Sequence, residues 1–313
     1  MEKVAVLLAT YNGQLYLREL LDSLKTQTYK DFVCYIHDDG STDETVTIVR
    51  EYCSKNPDIF KLVQGSSTGG AKKNFMYLLR TVGITHPYIM FCDQDDVWLP
   101  NKIQESVIEM KKIEINNNMP CLVYCDMKVV NDKLFTISNS FHEYNQLIIN
   151  HLTLDRAIMK SYAAGCSMLI NNSLAKAAAV KDDNNIIMHD WWTLIIACAI
   201  GSVRRISTPL LLYRQHQNNT LGAKKITVSH RIKEITKRIL TFEQYGVTKR
   251  GLYVRIEQLA KCNQVVEMYS EYKELIDGAI DFRNMSKFER CKYVLKNQLY
   301  QNRWSKLWTC ICA

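Results

Sequence analysis

Apolar residues in the first third of the chain come in short unbroken runs, separated by stretches in which they recur every three or four positions. Residues 4–9 are continuously apolar, and Leu17, Leu20, Leu21 and Leu24 then fall on one helical face. Runs at 32–36, 88–92 and, more weakly, 60–63 predict further strands. Between and after them, Val46, Val49 and Cys53, then Phe75, Leu78, Leu79 and Val82, then Ile103, Val107 and Met110 keep helical period. Ser41 and Glu44 have capping-box spacing, and Pro100 suits the first turn of the helix that carries Ile103. Unbroken apolar strands alternating with amphipathic helices predict an α/β fold, a mainly parallel sheet flanked by helices on both faces.

Residues 121–216 mix strands (122–125, 166–170, 210–213) with helices (173–180, 190–199), and from about residue 226 the pattern is helical, polar and basic. This predicts one α/β domain over 1–222, in two halves (about 1–120 and 121–222), followed by a helical extension over 223–313. Charge marks the same division. Residues 1–223 hold 22 Lys/Arg against 23 Asp/Glu, whereas residues 224–313 hold 18 against 9.

The 11 cysteines mostly sit inside apolar runs, and no signal-peptide pattern precedes the strand at Val4. Both features predict a reducing, cytoplasmic location with unpaired thiols. No cysteine pair has zinc-site spacing. The longest apolar stretch, 191–200, is half of what a membrane span requires.

The candidate chemistry lies where predicted strands end. Asp93-Gln94-Asp95-Asp96 puts three carboxylates into four residues after an apolar strand, a repulsion that a divalent cation such as Mg²⁺ or Mn²⁺ relieves. A solvated acidic turn is the competing reading. Asp38 and Asp39 close another strand. Ser41 and Asp43 suffice to cap the next helix, leaving those two carboxylates free to accept a hydrogen bond from the imide N–H of uracil or thymine, with Tyr11 stacking on the base. Parallel sheets bind ligands beyond the carboxyl ends of their strands, so Thr10-Tyr11-Asn12 and both acidic clusters are predicted to face one crevice.

Ala9-Thr10-Tyr11-Asn12-Gly13, Asp38-Asp39-Gly40-Ser41-Thr42-Asp43 and the segment from Asp93 to Lys102 resemble the ordered signatures of family 2 glycosyltransferases. Met188-His189-Asp190-Trp191-Trp192 and Tyr213-Arg214-Gln215-His216-Gln217-Asn218-Asn219 extend the resemblance to about residues 3–222, and they are most similar to rhamnosyltransferase-like members of bacterial surface polysaccharide synthesis. The resemblance implies a GT-A (Rossmann-like) fold and transfer of rhamnose or a hexose, with inversion, from a dTDP- or UDP-sugar to an acceptor hydroxyl. It places Thr10, Tyr11, Asn12 and Asp39 on the nucleotide, with Asp38 supporting. Asp95 becomes the main metal ligand, and Asp93 and Asp96 meet the ribose, donor sugar or metal shell. Asp190 is the general base, although His189 stands where the family commonly has Glu. Arg214 meets the diphosphate, and His216 the metal or phosphate. Gly165, Trp191 and Trp192 line the acceptor side.

The basic extension matches no signature. Lys233, Lys237, Arg238, Lys249, Arg250 and Arg255 lie among apolar residues, and Arg303, Trp304, Lys306, Leu307 and Trp308 have the makeup of an interfacial helix. They suggest contact with the inner face of a membrane near a lipid-linked acceptor; a solvated packing extension is the plainer reading. No nucleic-acid recognition motif accompanies the charge. Two other functions compete. A sugar-phosphate nucleotidyltransferase needs a glycine-rich loop with a basic residue after the first strand, which Thr10-Tyr11-Asn12-Gly13 lacks. A non-catalytic nucleotide-sugar-binding protein would use its carboxylates only as caps.

Overall fold

In β1 (Val4–Thr10), Ala5 and Leu7 face one side of the sheet, while Val4, Val6 and Leu8 face the other, and all five are fully buried. A strand covered on both faces has no position for a polar residue, which is why its sequence reads as one apolar run. The computed structural model describes residues 3–114, 119–145, 147, 152–216, 249–265, 272–300, 306, 310 and 313.

The chain continues through α1 (Leu17–Lys25), β2 (Phe32–Asp38), α2 (Thr45–Lys55), β3 (Phe60–Leu62), α3 (Ala71–Thr81), β4 (Tyr88–Cys92), β5 (Val97–Trp98) and α4 (Lys102–Ile113). The second half contains β6 (Cys121–Asn131), β7 (Thr136–Ser138), α5 (Phe141–Tyr144), α6 (Leu154–Met159), β8 (Met168–Asn171), α7 (Asn172–Ala178), α8 (His189–Ile200) and β9 (Ser202–Gln215). Among the described residues three helices follow: α9 (Lys249–Val265), α10 (Lys273–Asp281) and α11 (Lys287–Lys296).

The strands form one sheet in the order β3-β2-β1-β4-β8-β6-β9-β5, with β7 against β6. β3, β2, β1 and β4 are parallel. β8 then enters antiparallel to both β4 and β6, and β9 runs parallel to β6. The sheet grows outward from β1 to β2 and β3 before returning to β4 on the other side. The switch in strand order therefore falls between β1 and β4, and their carboxyl ends open a crevice there.

Two apolar cores fill the two faces. One gathers α1, α2 and α4 on the side of Val4, Val6 and Leu8. The other gathers α3, α6, α7 and α8 on the side of Ala5 and Leu7, and it also takes Leu252, Ile256 and Leu259 from α9, Leu275 and Ala279 from α10, Phe282, and Val294 from α11. The described part of the basic extension thus packs into the same core as the α/β fold.

Three local expectations turn out differently. Ser41 and Glu44 form no capping box: Ser41 bonds Asp38 and the Asn12 N–H, and α2 starts at Thr45, whose N–H and hydroxyl are taken by Asp43. Pro100 precedes α4 instead of opening it, and its carbonyl accepts from Thr28. β9 spans 14 residues where the apolar pattern marked four. None of its first eight residues is buried, so pairing with β6 defines them rather than an apolar run.

Candidate active site

The ends of β1, β2 and β4 are held together by side-chain-to-backbone bonds that replace a sheet ladder where the strands stop. Gln94 receives the Tyr11 N–H and donates to the Tyr11 carbonyl, each at 2.9 Å. Gly13 permits this: a Cβ there would lie 2.3 Å from Gln94 Oε1. Asn12, in the left-handed region at φ 46°, accepts from Thr42 N–H while donating its own N–H to Ser41. Tyr11 stays 56% exposed at the lip of the crevice.

Asp38 and Asp39 do different work. Asp38 accepts from the Thr10 and Ser41 hydroxyls and the N–H groups of Gly40 and Ser41, so it organises the turn. Asp39 accepts from the Ser67 and Thr68 hydroxyls and from the N–H groups of Thr68, Gly69 (3.1 Å) and Gly70 (2.6 Å). Burial alone would raise its pKa, but these donors outweigh it and hold the carboxyl below its ordinary value. The glycine loop at 65–70 is thus folded onto Asp39. Gly69 and Gly70 both adopt positive φ, the backbone that aims successive N–H groups at one anion.

After β4 the three carboxylates are stacked in depth. Asp96 is fully buried; its Oδ1 accepts the Arg214 N–H at 3.2 Å, and its Oδ2 has no hydrogen-bond partner among the described residues. Burial, then Asp95 and Asp93, push its carboxyl well above the carboxylate range. Asp93 is pushed up to about 7, by burial first and then by the charges of Asp95 and Asp190. Asp95 Oδ2 lies 2.8 Å from His216 Nε2. Ligand atoms of Asp93, Asp96 and Cys166 all fall within 4.8 Å of one another. Oxygens crowded around an orphaned buried carboxylate oxygen, with an imidazole beside them, suit a hard divalent cation; the thiol is the poorest donor of the set.

Asp190 arrives from the opposite side, in the first turn of α8. Its Oδ2 accepts the Gly165 N–H at 3.0 Å and its Oδ1 the Trp191 N–H at 2.7 Å. His189 turns inward, stacks on Phe75 at 4.0 Å between centroids and meets Phe91 edge-on at 4.8 Å. Burial lowers its pKa to about 4, the nearby Asp190 opposing. A Cβ on Gly165 would come within 2.8 Å of His189 Nε2, so only glycine fits between that ring and Asp190. The segment before α8 is braced from outside. Lys72 Nζ donates to the Asp183 and Ile186 carbonyls, and the fully buried Gln258 of α9 accepts the Ile187 N–H at 2.8 Å.

The structure brings Asp95 to His216, Asp93 to Asp96, and Asp190 to Gly165. Two expected roles need correction. Trp192 is fully buried with its indole N–H on the Ala178 carbonyl, so it belongs to the core and not to the acceptor side. Trp191, one helical step away, is half-buried and bonds the Ala157 carbonyl. Arg214 is 1% exposed, and its guanidinium is engaged by protein acceptors rather than turned toward a diphosphate. Gln217, Asn218 and Asn219 lie outside the described residues.

Sequence reasoning missed Gln94, Gln258 and Lys102. Lys102 is fully buried with Nζ 3.5 Å from the Trp98 ring centre, and it has no hydrogen-bond acceptor among the described residues. Burial lowers its pKa against the pull of Cys125, Cys166, Cys92 and Asp96. A lysine next to Ile103 and four residues before Ser106 carries no signal of burial in sequence, because the packing of Trp98 decides it. Two cavities, one of about 480 Å³ beside Asp155 and Glu274 and one of about 400 Å³ beside His86 and Glu114, contain none of these carboxylates.

A parallel sheet with an acidic crevice at its switch point, closed by antiparallel strands, defines the GT-A class of glycosyltransferases. Residues 5–170 match the family model described as glycosyl transferase family 2, and the chain belongs to that family. It is 29% identical over 225 residues to the dTDP-rhamnosyl transferase RfbG of Shigella flexneri, covering 69% of this chain and 74% of that one. An uncharacterized glycosyltransferase of Rickettsia prowazekii is 27% identical over 279 residues, covering 82% and 83%. Among solved structures, S. aureus TarS 1–349 in complex with UDP superposes with a TM-score of 0.55 at 18% identity, covering 95% of this chain and 91% of that one. The mannosyltransferase PcManGT of Pyrobaculum calidifontis, in complex with GDP-Man and Mn²⁺, gives 0.51 at 16% identity, covering 98% and 87%.

Proposed function

We propose that the chain moves rhamnose or a hexose, with inversion, from a dTDP- or UDP-sugar to the hydroxyl of a glycan or lipid-linked glycan, with Asp190 as the base. The observation that carries this reading is the turn at Gly165-Cys166: Gly165 donates its N–H to Asp190 at 3.0 Å, and the Cys166 thiol lies within 4.8 Å of the ligand atoms of Asp93 and Asp96, so the acidic loop after β4 and the first turn of α8 border the same turn. In such a displacement the acceptor oxygen attacks the anomeric carbon as the bond to the diphosphate breaks, and the hydroxyl proton must leave. Each Asp190 oxygen takes one backbone N–H, which fixes the carboxylate and leaves lone pairs for that proton.

Tyr11 at the lip would stack on the base. Asp39 would serve both the base and the glycine loop, with Thr10, Asn12 and Asp38 shaping the turn. Asp95, His216 and Asp96, with Asp93 beside them, would hold Mg²⁺ or Mn²⁺. Such an ion, when bound, offsets the charge that grows on the departing diphosphate. Gly165 supports Asp190, and Trp191 borders the acceptor side. The relative named for dTDP-rhamnosyl transfer and the neighbours solved with UDP and with GDP-Man and Mn²⁺ support a nucleotide-sugar donor and a divalent ion.

The test is transfer or donor hydrolysis with dTDP-rhamnose and UDP-hexoses in Mn²⁺ or Mg²⁺. Asp95→Ala and Asp190→Ala should abolish measurable turnover while the circular dichroism spectrum stays native. Full activity in both variants would overturn the site. No helix among the described residues is long and apolar enough to cross a membrane. A cytoplasmic enzyme touching the inner membrane face through the basic extension is the accompanying proposal. Lys233, Lys237, Arg238, Arg303, Trp304, Leu307 and Trp308 lie outside the described residues, as do the side chains of Lys249 and Arg250. Because α9–α11 contribute to the core, the test uses charge reversal at Lys233, Lys237 and Arg238 rather than truncation. Equal flotation with anionic liposomes by variant and wild type would count against it.

A further inference from the structure

Arg214 sits at the carboxyl end of β9 and joins four separate segments. Its Nε donates to the Asp95 carbonyl at 2.8 Å, its Nη1 to the Asp132 carbonyl at 2.6 Å in the turn between β6 and β7, and its Nη2 pairs with Glu19 of α1. Its backbone N–H holds Asp96 Oδ1. The guanidinium carbon lies 4.4 Å from the Tyr16 ring centre, and that ring meets His216 at 4.9 Å between centroids, tilted by 32°. One residue thereby touches the main chain at Asp95 and the side chain of Asp96, and it packs on Tyr16, whose ring borders His216.

We infer that Arg214 is a positioning residue, one that ties together the segments carrying Asp95, Asp96 and His216 so that they can serve one divalent cation, and that it does not contact the diphosphate. The inference rests on the metal-holding role proposed above for those three side chains. A planar fork with fixed donor directions can grip two carbonyls and a carboxylate at once, which a lysine ammonium cannot. Its charge is already met by Glu19, and with 1% of its side chain exposed it has no face left for a phosphate. Groups that orient metal ligands from behind typically change metal affinity by about tenfold to a hundredfold when lost.

The experiment titrates Mn²⁺ into the nucleotide-free full chain by electron paramagnetic resonance, and separately titrates UDP in EDTA by calorimetry. Arg214→Lys should weaken Mn²⁺ by about tenfold or more while leaving UDP affinity in EDTA at the wild-type value. Glu19→Gln, altering a side chain that is 53% exposed, should weaken Mn²⁺ by about threefold and keeps the test open if Arg214→Lys folds poorly. A variant that binds Mn²⁺ like wild type but loses UDP affinity in EDTA would make Arg214 a phosphate contact and overturn the assignment. Wild-type chain that binds no Mn²⁺ would instead remove the metal reading itself, and the assignment with it.

Discussion

The two sides of the crevice are built by opposite means. On the proposed nucleotide side, the carboxylates at the end of β2 are held by hydrogen bonds from nearby residues: Asp38 by Thr10, Gly40 and Ser41, and Asp39 by residues 67–70. On the side of the proposed base, Asp190 takes two backbone donors among the described residues, and its helix is placed by apolar contacts and by distant braces, His189 on Phe75 and Ile187 on Gln258. Polar strand ends keep their geometry through many donors of modest individual strength, whereas the base depends on the packing of elements far away in sequence. The first side should therefore tolerate losses one bond at a time, and the second should fail through positions that never touch substrate.

The largest expected effect separates the two sides directly. Asp190→Asn should lower kcat by about 10²–10⁴-fold with UDP affinity unchanged, since a positioned base contributes that much. Asp39→Asn should act mainly on donor KM, and steady-state kinetics on both variants checks the contrast. Next comes Gly13→Ala. The new Cβ displaces the Gln94 amide from the Tyr11 main chain, and two neutral hydrogen bonds at about 1 kcal/mol each bound the loss. Donor KM should rise severalfold, and Gln94→Gly in the same chain should not raise it further.

Gln258→Leu tests the distant brace. It leaves the Ile187 N–H without a partner, at a cost of about 1–3 kcal/mol, so it should lower both Tm and kcat while nucleotide affinity stays put. An unchanged kcat beside a lowered Tm would show that the brace serves stability alone. The effect that vanishes at neutral pH concerns acid. His189 has its pKa lowered to about 4 from an ordinary value near 6.5. Above pH 6.5 it is neutral whether folded or unfolded. Between 6.5 and 4 the unfolded chain binds the extra proton, so stability falls as pH falls through that window. His189→Asn should flatten that slope in thermal unfolding followed from pH 7 to pH 4.

Much of the nucleotide side was legible in the residues themselves. Apolar runs followed at once by Thr10-Tyr11-Asn12, Asp38-Asp39 and Asp93-Gln94-Asp95-Asp96 mark strand ends, and a parallel sheet brings its strand ends to one edge. Asp190 was legible only through its resemblance to a family motif, because a carboxylate at the start of an apolar helix equally suits an N-terminal cap. Arg214 and Trp192 show the limit of that reading. Each lies in a matching motif, yet one is bound to Glu19 and two carbonyls and the other is sealed in the core.

The chain on its own determined the alternation of strands and helices up to β4, the covering of both sheet faces and the clustering of acids at the strand ends, because periodicity and turn chemistry are local properties. Only the tertiary structure decided which of those acids are spent on loops, that Lys102 and Asp96 are buried behind them, and that α9 reaches the segment before Asp190. Burial and long-range hydrogen bonding depend on which surfaces meet, and no window of sequence carries that information.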